Sequence, residues 1–152
     1  MQYLTFKLGE IEFAVEVGAV ETVVDYAGVT PVPSRLAYVR GVMDLRGRTV
    51  VVMDLREKFG LAPRERAASS RVIVLTIGAG KGKKTIGGLV DDVSEVVSIA
   101  EDVAVHDDGE RFEFWRRYVR GIARVDGRLI VLLDAADLFS AAELAKAEER
   151  VD

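Results

Sequence analysis

Tyr38-Val39-Arg40-Gly41 returns later in the chain as Tyr118-Val119-Arg120-Gly121, at an offset of 118 − 38 = 80. The same offset carries Gly47 onto Gly127, Arg48 onto Arg128, Val51 onto Val131, Asp54 onto Asp134 and Phe59 onto Phe139. A repeat of this kind is read first, because it sets the unit from which the fold is built. A weaker echo precedes each copy. Val20-Glu21-Thr22-Val23-Val24 resembles Val93-Ser94-Glu95-Val96-Val97 at 93 − 20 = 73, so the copies differ by an insertion.

Around these repeats the chain alternates apolar and polar residues with the period of a strand. Leu4, Phe6 and Leu8 form one such run, and Ile11, Phe13, Val15 and Val17 another, both read as half-buried strands. Gly9-Glu10 joins them as a tight hairpin, and Arg46-Gly47 turns Gly41–Leu45 back onto Arg48–Met53. The second copy supplies Arg71–Ile77, Thr85–Asp91, Gly121–Val125 and Arg128–Leu133, the last two joined by Asp126-Gly127. Each half thus yields about five short strands, too few to be stable with open edges, whereas two small twisted barrels packed together would share a core. Val50–Met53 and Leu129–Leu133 are apolar on both faces, as expected where one face meets a barrel interior and the other meets the sister lobe.

Short helices interrupt the strands. Asp54 and Asp134 each follow an apolar strand and can cap a first turn, with Gly60 as a stop. Ser140 and Glu143 have capping-box spacing ahead of a C-terminal helix over Leu144–Arg150. At 152 residues the chain suits one domain, residues 1–152, able to bury about 68–70% of its unfolded surface.

Composition excludes several chemistries. The absence of cysteine removes disulfides, thiolate metal sites and cysteine nucleophiles, and makes the cytoplasm the expected compartment. A net charge of −4 with scattered basic residues argues against nucleic acid. Met1–Leu8 lacks the pattern of a signal peptide, and no apolar run approaches membrane-spanning length. His106 is the single histidine, so no histidine-rich metal site can form. Asp91-Asp92 and Asp107-Asp108 match no cation loop and read as solvated charge. Gly78–Thr85 imitates a phosphate-binding loop, but Lys83 stands where glycine is required and Thr85–Val90 continues as a strand instead of opening a helix. It reads as a mobile hairpin tip, with a small nucleotide-dependent enzyme using this loop as the rival reading. No catalytic residue, cofactor or metal is expected.

Two features resist a purely structural reading. Asp126-Gly127 suits a type I′ turn, in which both residues have positive φ, but Arg46-Gly47 suits it less well. Either the first copy keeps a long cation at its tip for a purpose other than folding, or its turn is of type II, where Arg then Gly is ordinary. Secondly, Val15, Val17, Val20, Val23 and Val24, echoed by Val90, Val93, Val96 and Val97, carry more aliphatic surface than one small barrel hides. Core packing is one explanation and an apolar groove between lobes the other.

The run Val32–Gly47, followed by Val50–Leu55, closely resembles the CheW family of chemotaxis coupling proteins, as does Gly121–Leu138. The resemblance spans nearly the whole chain, from Tyr3-Leu4-Thr5-Phe6 onward. One departure is Asp44, where the family usually has Asn before Leu-Arg-Gly. The resemblance implies a mostly β fold of two intertwined SH3-like five-stranded barrels about a pseudo-two-fold axis, with short helices and a C-terminal helix. It implies a non-enzymatic adaptor that couples the cytoplasmic tips of methyl-accepting chemoreceptors to the regulatory domain of the histidine kinase CheA, in the cytoplasm at membrane-associated receptor arrays. Leu45, Arg46 and Gly47 fall on the family's coupling turn, and Val20, Gly87, Val93 and Val96 on positions of its receptor groove. A related coupler serving pilus motility or another output is the alternative.

Overall fold

The alternating runs fold as strands: β1 (Gln2–Leu8), β2 (Ile11–Glu16), β3 (Val20–Asp25), β4 (Val39–Leu45), β5 (Arg48–Asp54), β6 (Arg71–Ile77), β7 (Lys84–Val90), β8 (Asp92–Ser98), β9 (Val119–Val125) and β10 (Arg128–Leu133), with a one-turn helix α1 (Leu55–Lys58). The structure, a computed structural model, describes residues 1–34, 36–62, 65, 67–78, 83–100, 117–140 and 143. The phosphate-loop lookalike at 79–82, the insertion from Glu101 to Trp115 with His106 and Asp107-Asp108, and the helix expected over Leu144–Arg150 lie outside the described residues.

The strands form two five-stranded sheets, ordered β8-β1-β2-β10-β9 and β3-β6-β7-β5-β4. Exchanging each strand for its counterpart in the other half converts one order into the other, so the sequence repeat is also a symmetry of the topology. Each half supplies five strands, but neither sheet is made from one half alone. The first sheet takes β1 and β2 from the N-terminal half and three strands from the C-terminal half; the second reverses this. The crossing is made by a 3-10 turn at Val17–Ala19, which lifts the chain from β2 to the other sheet. The exchanged hairpins join their new sheets by parallel pairing, Phe13 opposite Val131 in one and Ile86 opposite Val51 in the other. These pairs keep both sequence offsets, 131 − 51 = 80 and 86 − 13 = 73.

β1 and β2 are buried on both faces instead of one, because the exchange places them inside a sheet with a core on each side. Leu4, Phe6, Leu8, Phe13 and Val15 join a large core shared by both sheets, while Tyr3 and Ala14 face a small core with Ile99, Ala123, Ile130 and Leu132. The second sheet divides its side chains likewise: Ile73, Leu75 and Met53 enter the shared core, and Val50, Val52, Val72 and Val74 form their own. The two-faced apolar strands expected from the sequence are therefore those that separate a lobe interior from the shared core. Truncating one of these large buried side chains costs about 2–5 kcal/mol. Thr5, fully buried, keeps its place by hydrogen bonding: its hydroxyl donates to the Glu95 carbonyl and accepts from the Glu95 N–H, both at 3.1 Å, where the β1–β8 ladder shifts register.

Asp54 caps α1 by accepting from the N–H groups of Arg56 (2.9 Å) and Glu57 (3.4 Å), and Asp134 accepts from Ala136 N–H at 3.0 Å. Gly60 ends the first helix with φ +76°. Ser140 and Glu143 exchange backbone-to-side-chain bonds of 3.1 Å each, the reciprocal capping box. Asp91 corrects the reading of it as solvated charge. Its Oδ2 accepts from Gly9 N–H and from Arg56 Nη1, both at 2.6 Å, so it ties the β1–β2 turn to α1.

Candidate functional site

The turn between β4 and β5 is of type I′: Arg46 has φ +52° and Gly47 φ +84°, matched by Asp126 at +50° and Gly127 at +80°. The type II alternative is excluded, since it needs a negative φ at Arg46. The left-handed region costs a residue with a side chain about 1–2 kcal/mol, less for Asp or Asn, whose short polar groups hydrogen-bond locally. A Cβ on Gly47 would meet nothing within 4 Å, so glycine is there for its backbone freedom alone. Leu45 is half-buried against the core of the second sheet and anchors the turn. Arg46 is exposed and, among the described residues, has no hydrogen bond or ion pair. Asp44, one residue before Leu45, is exposed as well and makes no ion pair with it.

Neighbouring charges are engaged. Arg48 pairs with the Glu21 carboxylate on β3 and reaches Thr85 Oγ1 on β7 at 3.5 Å. Its repeat counterpart Arg128 does the same in the other lobe, holding Glu95 at 2.8 Å and Glu12 at 3.3 Å. The two arginines staple equivalent strands, which leaves Arg46 as the unmatched cation of its turn. Beside it lies a pocket of about 220 Å³ lined by Glu21, Thr22, Val24, Leu45 and Arg46.

The four groove positions do not share one surface. Val20, at the start of β3, and Val93, on β8, are half-buried and pack against the shared core from equivalent edge strands. Val96 is 52% exposed on β8. Gly87 is buried in the middle of β7, where a Cβ would lie 2.8 Å from Val72 Cγ1 and 3.2 Å from Val52 Cγ2. The structure thus turns Gly87 toward the interior of its lobe and brings Val20 and Val93 onto the core between the sheets.

One polar cluster escaped the sequence reading. The Lys58 side chain is only 2% exposed, and its Nζ lies 2.5 Å from Glu143 Oε2. The ammonium is enclosed by Tyr38, Tyr118 and Phe139, with ring centroids 4.9, 5.0 and 4.7 Å away. Burial acts to raise the Glu143 carboxyl, but hydrogen bonds from Lys58, the Tyr38 hydroxyl and Ser140 N–H outweigh it and hold the group at about 2. Burial and the hydrogen bond to that carboxylate push the Tyr38 phenol up. The available signal was the repeat itself, since 58 + 80 = 138 aligns Lys58 with a fully buried leucine, Leu138. Among the described residues no group of three acidic or histidine side chains could hold a metal, and no helix is long and apolar enough to cross a membrane.

Comparison with known proteins agrees with this geometry. The CheW-like domain family matches residues 2–143. The chain is 29% identical to the probable chemotaxis protein CheW of Rhizobium etli over 93% of its own length and 89% of that protein. It is 31% identical to the chemotaxis protein CheW of Thermotoga maritima, covering 88% and 83% of the two chains. The crystal structure of the scaffolding protein TtCheW from Thermoanaerobacter tengcongensis superposes with a TM-score of 0.78 at 28% identity, covering 92% of this chain and 88% of that one.

Proposed function

The chain belongs to the CheW-like family of non-enzymatic chemotaxis scaffolds, and on that premise we propose that it couples the cytoplasmic tips of chemoreceptors to the regulatory domain of a CheA-like histidine kinase. Residues 1–152 act as one domain with two working faces. The Leu45-Arg46-Gly47 turn is the kinase-coupling face. Val20, Val93 and Val96, on the edge strands that flank the shared core, take the apolar face of a receptor helix; Gly87 serves this strip from behind, by packing. Interfaces below about 800 Å² per partner would keep each contact reversible. Holding receptor and kinase on one body raises the effective concentration of each for the other, so coupling needs no chemical step. The protein is thereby recruited from the cytoplasm to membrane-associated receptor arrays.

The observation that carries this reading is Arg46: exposed, without an ion-pair partner among the described residues, and kept at a left-handed position that disfavours it. Its guanidinium can fork onto a carboxylate or carbonyl of a partner. Arg46→Asn is the test, because Asn tolerates the same backbone. The variant should melt at the wild-type temperature or about 2 °C above it, yet lose receptor-dependent kinase activation in a reconstituted receptor–kinase assay. Full activation by a folded variant would refute the role.

A further inference from the structure

The two halves differ at one place that the repeat makes equivalent. Beside α1, Asp91 Oδ2 accepts from Gly9 N–H and from Arg56 Nη1, both at 2.6 Å, and fills the space there with an arginine–aspartate clasp. The offset of 80 carries Arg56 onto Ala136, and the offset of 73 carries Gly18 onto Asp91. Gly78 follows β6 as Gly9 follows β1, with φ +93° against +64°. Gly18, Gly78 and Ala136 line one pocket of about 350 Å³, with Glu16, Ala19 and Asp134 in its wall. Where one half holds a clasp, the other therefore holds a cavity. A second arginine is missing from the same wall. Asp54 Oδ2 accepts from Arg40 Nε at 3.2 Å and Nη2 at 3.0 Å, but Arg120, the repeat counterpart of Arg40, pairs with Glu16 instead of Asp134. The half-buried Asp134 accepts from Ala136 N–H through Oδ1 and, among the described residues, has no cation.

We infer that this pocket receives an arginine side chain from the receptor's cytoplasmic segment, its guanidinium forked onto the Asp134 carboxylate and its stem lying over Gly18 and Ala19. The clasp beside α1 shows which side chain the equivalent space takes, and the uncompensated carboxylate sets the charge of the guest. Gly18, Gly78 and Ala136 are exposed, so the pocket is too open to enclose a free small molecule, whereas a side chain tethered to a docked helix needs only a wall to lie against. The receptor is the partner because Ala19 leads directly into Val20, which begins both β3 and the receptor strip proposed above, and the inference rests on that strip.

Gly18→Asp with Ala136→Arg tests this by rebuilding the clasp and filling the pocket from within. Both positions accept the change: a Gly18 Cβ would meet nothing within 4 Å, its φ lies outside the left-handed region, and Ala136 is exposed. Asp134→Asn is the second variant, which removes the charge but keeps a side chain able to cap the turn. With folding verified by melting curves, each variant of the full chain should bind a purified receptor cytoplasmic fragment about tenfold more weakly than wild type. Replacing the fragment's arginines by lysine, one at a time, should find one whose loss weakens binding to wild type but not to the Asp134→Asn chain. Wild-type affinity in both folded variants, or no receptor arginine that couples to Asp134, overturns the inference. If Val96→Ser still weakens the complex in that case, the receptor strip survives without the pocket; if it does not, both readings fall. Weakened binding of the kinase regulatory domain alone would assign the pocket to the kinase and likewise overturn the inference.

Discussion

Glu143→Gln tests the cluster around Lys58. The substitution keeps size and shape but removes the charge facing Lys58, whose side chain is 2% exposed while that of Glu143 is 21% exposed. Stripping one partner from a buried pair costs about 3–5 kcal/mol. Because Glu143 is partly wet and three aromatic rings still face the ammonium, a loss of about 2–3 kcal/mol is expected. For a chain of this size that lowers the melting temperature by about 5–10 °C. Chemical denaturation followed by circular dichroism would show a lower midpoint at unchanged slope. Lys58→Met added to Glu143→Gln should recover most of the loss, since a well-packed apolar pair replaces a buried ion pair at little cost and the other copy already has leucine at the equivalent place.

The pH dependence follows from the carboxyl group. Its folded value of about 2 lies below the ordinary 4.5, so its stabilisation is fully present above about pH 5 and is lost as pH falls from there through 2. The stability gap between wild type and Glu143→Gln should therefore be flat near neutrality and close in acid. A variant within about 0.5 kcal/mol of wild type at pH 7, or a double variant no better than Glu143→Gln alone, would refute the assignment of Lys58 as a buried, paired cation.

Gly41 and Gly87, the described glycines whose Cβ would fall within 3.0 Å of a neighbour, make sharper predictions of the same kind. Gly41→Ala should prevent stable folding or cost more than about 4 kcal/mol, because its Cβ would fall 2.1 Å from the Thr30 carbonyl oxygen at φ +151°, where Thr30 and Val42 bond the chain beyond β3 to β4; thermal melting would show it. Gly87→Ala should cost about 1–3 kcal/mol by overpacking against Val72 and Val52, and a nearby Val72→Ala should restore part of that loss, which equilibrium unfolding of the pair would measure.

Much of this was legible in the chain because it was written twice. The Tyr-Val-Arg-Gly repeats located β4, β5, β9 and β10, and Asp-Gly beside Arg-Gly marked the turn whose strain the backbone angles display. Periodicity alone could not show that β1 and β2 are covered on both faces, because Thr5 and Glu12 read as solvent residues until Glu95 and Arg128 are placed against them. Asp91 and Lys58 were hidden for a related reason. Their partners, Arg56 with Gly9 and Glu143, are distant in sequence and meet them only after the halves exchange strands. Gly87 lay among groove positions in sequence terms but packs inward, since its alternation on β7 directs it at Val72.

The exchange also bears on the coupling proposed for this scaffold. Had each half built its own sheet, the lobes would meet across a surface that could hinge, and a load on the proposed receptor strip would be dissipated there. Here the β1–β2 hairpin carries the chain directly into β3, and β6–β7 into β8, so Val20 and Val93 stand at the crossing points between sheets. Both also pack on the shared core, whose Phe6, Phe13, Phe59 and Tyr118 rings follow one another at 5.6–5.7 Å between centroids, the first pair stacked and the next two tilted. From the ring of Tyr118 the series continues to Lys58, which is held to the start of the C-terminal segment by Glu143. Close-packed interiors deform little under load. A displacement of the proposed receptor strip would therefore be carried to the sheet that bears Arg46, a mechanical property that suits the coupling proposed for this duplicated and interlaced fold.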